Sequence, residues 1–182
     1  MDTSLTSPPA GHSALNIILV GLSGSGKTAI GRAVARELNR PFIDFDTEIE
    51  HRQHATVQEI FARHGEARFR ELEQELTREL VTCKGTIMSA GGGWVTNRES
   101  VALLRPTGRI IYLRAAPETL VARLETARVR RPLLEGSDPL DTLTRMYEAR
   151  HPLYAEADLI IETEVFDRKQ LIEQVRRYAE SL

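Results

Sequence analysis

Between the aliphatic run Leu15 to Val20 and a stretch whose apolar residues recur at helical spacing stands the octapeptide GLSGSGKT, Gly21 to Thr28. Glycines at 21, 24 and 26 let successive backbone N–H groups turn inward around an anion. A helix that starts at once adds the positive end of its dipole. The spacing G-x-x-x-x-G-K-[ST] brings Lys27 to the β/γ-phosphates of a nucleoside triphosphate and the Thr28 hydroxyl to a Mg²⁺ ion. A flexible Gly/Ser turn is the competing reading, but the buried strand before the motif and the helix after it are the context that phosphate binding needs. The nucleotide side is therefore assigned to Gly24, Ser25, Gly26, Lys27, Thr28 and Ala29. The acceptor of a phosphoryl group has to be read elsewhere, and no N-K-x-D pattern surrounds any of the three lysines, Lys27, Lys84 and Lys169, as a guanine-reading GTPase would require.

The rest of the chain fits one α/β domain. Its 182 residues suffice for a single core. A net charge of -2 provides no footprint for nucleic acid. No apolar run approaches the roughly 18 residues of a membrane span, and the N-terminus has neither basic leader nor hydrophobic signal core. A soluble, cytoplasmic monomer without nucleic-acid or membrane partners is the expectation. Cys83 is the sole cysteine, read as a small buried hydrophobe rather than a reactive thiol.

Residues 1–14, rich in Ser, Thr, Pro and Gly, read as a disordered leader, and the domain spans 15–182. Strands are expected at 15–20, 41–46, 85–90, 108–114 and 158–163. Helical periodicity fills the intervals: Thr56 serves as an N-cap, Gly65 as a terminator, and Pro117 stands in a first turn. Such alternation predicts a five-stranded parallel sheet with helices on both faces, a three-layer α/β/α phosphate-loop fold. Between about 126 and 139 the helical period fails, and Pro, Gly and Arg gather in RVRRPLLEGSDP, a segment long enough to be a lid.

Asp44 and Asp46 flank Phe45 at the exit of the second strand, which is expected beside the first, and strand alternation turns both carboxylates to one side. One could accept a hydrogen bond from an attacking hydroxyl while the other serves a metal. Equally, Asp46 could cap the helix that follows. Arg70, in a helix dense with glutamates, reads unaided as a surface partner of Glu66. Arg150, near a helix end, complements the dipole there.

Taken together, the phosphate loop, DFDTEIE, EIFARHGEARFRELE, SAGGGWV, RRPLL and EARHPLY are similar in order and spacing to the shikimate kinase family, over about residues 16–178. The resemblance implies a kinase using ATP and Mg²⁺ to phosphorylate the 3-hydroxyl of shikimate, a step toward chorismate and the aromatic amino acids. It implies that Asp46 binds shikimate hydroxyls and acts as base, that Asp44 stands near Mg²⁺ with Thr28, and that Arg70 and Arg150 hold the shikimate carboxylate. Arg131 matches the lid arginine that joins Lys27 at the transferring phosphoryl, with Arg128 and Arg130 its neighbours. Gly91, Gly92 and Gly93 end the third strand, where backbone presses against the acceptor.

Two positions depart from the pattern. The nearest match to the family's adenine contact is Arg168, beside Asp167, and Trp94 stands where the family more often has a small residue. A stabilising aromatic is the favoured reading of Trp94. Kinases of another small acceptor, gluconate-like or a nucleotide, and a non-catalytic nucleotide-binding regulator on the same fold are the rival readings.

Overall fold

The computed structural model describes residues 15–126 and 138–182. The expected leader, and most of the expected lid with Arg128, Arg130 and Arg131, lie outside the described residues.

β1 (Asn16–Val20) is the middle of the sheet, and all five of its residues are buried. Its side chains alternate between two packing environments. Ile17 and Leu19 meet Ile30, Val34 and Leu38 of α1 (Lys27–Glu37) and Leu171 and Val175 of α7 (Arg168–Glu180). Ile18 and Val20 join the larger core on the other face. Residues from α2 (Phe45–Gln53), α3 (Val57–Leu80), α4 (Arg98–Leu104), α5 (Pro117–Thr126) and α6 (Pro139–Tyr154) build that core. The layers are α/β/α, as periodicity predicts.

Four further strands, β2 (Phe42–Asp44), β3 (Ile87–Ser89), β4 (Gly108–Arg114) and β5 (Leu159–Glu162), complete an all-parallel sheet in the order β2-β3-β1-β4-β5. Both β3 and β4 pair with β1, Leu19 standing opposite Ser89 on one side and Ile111 on the other. The expectation that β2 lies beside β1 is corrected: β3 separates them, and Asp44 stands in register with Ser89. The chain leaves β1 toward one side of the sheet and later fills the other, so ligands are expected at the carboxyl ends of the central strands.

β2 also ends earlier than the sequence suggests. Asp44 has extended backbone and its side chain accepts from the Thr47 N–H, so the helix begins at Phe45. Asp46 therefore sits in the first turn of α2, not on a strand, and the capping carboxylate is that of Asp44. Thr56 does cap α3, in a reciprocal box with Glu59. Gly65, expected to end a helix, instead takes a left-handed, non-helical conformation (φ 78°, ψ 171°) that kinks α3 into two arms.

One buried polar side chain ties the sheet's lower end together. Asn16, fully buried, donates from Nδ2 to the Cys83 carbonyl and accepts from the Thr86 N–H, each at 2.9 Å. Replacing it with leucine orphans both backbone groups at a cost of about 1–3 kcal/mol each. Urea unfolding of Asn16→Leu is expected to show a lowered midpoint with an unchanged m-value, while ligand affinities measured well below the transition stay at the parent level.

Candidate active site

The loop between β1 and α1 is shaped by Gly26, the N-cap of α1, whose φ of 95° is strained for any other residue. Lys27 folds back over the loop and donates from Nζ to the carbonyls of Gly21 (2.8 Å) and Leu22 (3.0 Å). The next residue, Thr28, donates from Oγ1 to Asp44 Oδ2 at 2.6 Å and lies 3.5 Å from Ser89 Oγ. Asp44 uses its other oxygen for the α2 cap, so one carboxylate ends a strand, starts a helix and reaches the phosphate loop.

A cavity of about 440 Å³ opens beside this loop. Its wall includes Gly24, Gly26, Lys27, Thr28 and Ala29 of the loop and helix start, together with Asp44, Asp46, Arg70, Gly91, Gly92, Gly93 and Arg150. Residues far apart in sequence thus share one chamber. Ser25 is buried within the loop and does not line it. Arg168 is exposed at the start of α7 and is absent from the wall, which on that side carries Arg123 instead. Arg123 reaches from α5 to Thr163, donating to its hydroxyl (2.8 Å) and its carbonyl (3.0 Å).

The floor opposite the loop is a buried charge cluster. Arg70 donates to Glu66 (2.7 Å) and is hydrogen-bonded to Glu73. The Glu73 side chain is 3% exposed, and its Oε1 has no hydrogen-bond partner among the described residues. Burial is the main cause that pushes its carboxyl up to about 7. The positive charge and hydrogen bond of Arg70 oppose the rise, Asp46 adds to it, and Arg150 pulls against it more weakly.

Gly91, Gly92 and Gly93 run through this cluster, and none has the positive φ for which glycine is usually kept. Space explains two of them. A Cβ on Gly91 would strike Glu73 Oε1 and crowd Asp46, and one on Gly93 would collide with the Arg70 guanidinium. Gly92 has room for one; what it contributes is its carbonyl, which accepts from Arg150 Nη1 (3.2 Å) and from the Tyr154 hydroxyl. Gly91 accepts from the Trp94 N–H and Gly93 from the Thr96 N–H, both at 3.0 Å. With all three carbonyls engaged, the N–H groups are the loop's remaining hydrogen-bonding capacity.

The family model for shikimate kinase matches residues 23–180. The chain belongs to the shikimate kinase family. A shikimate kinase of Pseudomonas syringae is 46% identical over 168 residues, covering 91% of this chain and 96% of its own length. One from Burkholderia pseudomallei is 46% identical over 150 residues, 82% of this chain and 81% of the relative. Among solved structures, the shikimate kinase of Acinetobacter baumannii in complex with shikimate superposes with a TM-score of 0.87 at 35% identity, covering 94% of this chain and 96% of that one. A deoxyadenosine kinase from M. mycoides matches at TM-score 0.61 and 16% identity, a likeness of fold alone.

Within this shikimate kinase family member, sequence reasoning singled out Arg70 and its partner Glu66, a pair that the structure contains, but missed the second partner, Glu73. Glu73 lies three residues on, in a helix so rich in glutamate that nothing marks it as buried; only the approach of Gly91 and Gly93 does so. Tyr154, in RHPLY, escaped notice too, although its hydroxyl shares the Gly92 carbonyl with Arg150. Trp94 is 1% exposed and does not line the cavity.

The Glu73 carboxyl titrates at about 7 in the folded protein against an ordinary 4.5, so the folded state keeps a proton that the unfolded chain releases between those values. Stability linked to this group is complete below pH 4.5 and is lost as pH rises through 7. Glu73→Gln, which cannot ionise, removes that slope. Chemical denaturation is expected to show the variant gaining about 1–3 kcal/mol on the parent between acid and mildly alkaline pH; a constant difference would refute the assignment.

Proposed function

We infer that this protein transfers the γ-phosphoryl group of ATP to the 3-hydroxyl of shikimate, giving shikimate 3-phosphate and ADP. The observation that carries the reading is that the phosphate loop and the cluster of Asp46, Arg70 and Arg150 line one and the same cavity. The A. baumannii relative, solved with shikimate, has the same fold at a TM-score of 0.87.

In this reading the shikimate carboxylate meets the guanidinium groups of Arg70 and Arg150, whose charge-assisted bonds are worth roughly 1.5–3 kcal/mol each. The N–H groups of Gly91–Gly93 are available to oxygens of the same molecule. Asp46 accepts the hydrogen bond of the attacking hydroxyl, which lies in line with the γ-phosphorus. The bond from hydroxyl oxygen to phosphorus forms as the bond to the bridging β-oxygen breaks, the proton passes to Asp46, and ADP leaves with the bonding pair. Lys27 exchanges its carbonyl partners for phosphate oxygens as charge moves toward the β-phosphate. Arg131, outside the described residues, is assigned to the same phosphoryl by family resemblance, and the segment around it to excluding water.

Thr28 Oγ1, Asp44 Oδ2 and Ser89 Oγ lie together beside the phosphate loop, and hard oxygens of this kind are what Mg²⁺ takes. They fit an ion that keeps several waters, and Thr28 and Asp44 would hold it. Held there, the ion would supply positive charge against the phosphate groups of the nucleotide. Adenine contact is assigned to the Arg123 side of the cavity in preference to Arg168. As a cytoplasmic monomer, the enzyme would serve the route to chorismate and the aromatic amino acids.

A coupled ADP-release assay across shikimate, quinate, gluconate and nucleoside monophosphates tests the acceptor, with shikimate expected to give the highest kcat/KM by far. Preference for a nucleotide or gluconate would overturn the reading. In the same assay Asp46→Asn is expected to lose about 10²–10⁴-fold in kcat while ATP affinity stays within about twofold. Near-normal turnover would remove Asp46 as the base. Chelation of divalent ions should abolish ADP release, and added Mg²⁺ should restore it.

A further inference from the structure

Trp94 is the only tryptophan in the chain, and its place in the fold links three parts of the acceptor site without touching the cavity. It opens the 3-10 turn Trp94–Thr96 that follows the glycines directly, and its own N–H closes onto the Gly91 carbonyl. Its ring stands edge-on to Phe45 at 6.2 Å between centroids, and Phe45 is the fully buried residue between Asp44 and Asp46. Its indole Nε1–H donates to the Thr77 hydroxyl at 3.0 Å, and that hydroxyl donates onward to the Glu73 carbonyl at 2.7 Å.

The polarity of this relay is complete. An indole nitrogen can only donate, and the Thr77 hydroxyl accepts once and donates once. Thr77 is fully buried, so no solvent competes for the bond. The relay ends on the backbone of the residue whose side chain grips Arg70. The spacing it fixes matters because the contacts it serves are already tight: Gly91 against Glu73 and Asp46, Gly93 against Arg70.

We propose that Trp94 is a positioning residue for acceptor binding: through the Thr77 hydroxyl and the Phe45 ring it sets the distance between the Gly91–Gly93 backbone and the side chains of Asp46, Arg70 and Glu73. The proposal rests on the reading that shikimate sits against these glycines. It separates the acceptor side from the nucleotide side, since Lys27 and Thr28 are held by bonds to the phosphate loop and to Asp44, none of which involves Trp94.

Steady-state kinetics on four variants test it. Trp94→Phe keeps an aromatic ring against Phe45 and removes the N–H. Thr77→Val removes the hydroxyl at nearly constant volume, Thr77→Ser retains it, and the double variant Trp94→Phe/Thr77→Val removes both ends of one bond. Trp94→Phe and Thr77→Val are each expected to raise the shikimate KM roughly tenfold, within the hundredfold that a ~1 Å misplacement costs, with the ATP KM inside about twofold of the parent. Thr77→Ser should retain the parental shikimate KM, and the double variant should be no worse than the poorer single one. A merely structural role would lower Tm and leave both KM values in place. That result, a parallel rise in the ATP KM, or multiplicative losses in the double variant would overturn the proposal. Parental turnover of shikimate, measured alongside, separates the two levels: its absence sinks the functional reading, while normal parental turnover with unmoved variants sinks only the role of Trp94.

Discussion

The bond from Thr28 Oγ1 to Asp44 Oδ2, 2.6 Å long, is where the two halves of the site are joined. Thr28 belongs to the helix that anchors the phosphate loop, and Asp44 to the end of β2, two strands away from β1. Because Asp44 also caps α2, the same carboxylate that meets the loop determines where that helix begins and hence where Asp46 is carried. An in-line transfer needs donor and acceptor held to within a few tenths of an ångström. Here that alignment is built from a strand end, a helix cap and one hydroxyl, all local structures with little freedom to drift.

Opposite this junction the molecule keeps charges where water is scarce. Arg70 is one-fifth exposed and sits between Glu66 in solvent and Glu73 in the interior. Burying such a pair yields little net stability, because desolvation offsets most of the attraction. What the pair provides instead is a guanidinium already oriented before an anionic ligand arrives, with a carboxyl beside it near its titration point at neutral pH. Arg150 comes from the far end of the chain and reaches the same place by bonding Gly92, helped by Tyr154, whose own acidity is suppressed by burial.

Much of this was legible in the sequence. The strand, glycine loop and helix at 15–38 and the parallel alternation that follows could be read from motif and period, whereas Asp46, Arg70 and Arg150 stood out only through the family resemblance; the fold brings these three to one cavity. What escaped was whatever depends on distance between segments. β2 ends two residues before the expected exit, because PFIDFD reads as one extended run and only the Asp44 side chain meeting the Thr47 N–H ends it. Glu73 hid among acidic neighbours, since an i,i+3 partner of arginine looks alike on a surface and in a core. The three glycines invite an argument from backbone freedom, yet none has a positive φ; Gly91 and Gly93 are small because Glu73, Asp46 and Arg70 already fill the space a Cβ would need.

The placement of the one indole has an optical consequence. A sole tryptophan, 1% exposed and hydrogen-bonded to a buried hydroxyl, is a single indole environment, so emission excited at the red edge, where the four tyrosines do not absorb, comes from one site. That chromophore follows Gly93 directly in the chain and lies behind the cavity wall that the glycines form. The molecule thus carries one indole chromophore at the joint between α2, α3 and the glycine loop, the site where its contacts with Phe45, Thr77 and Gly91 meet.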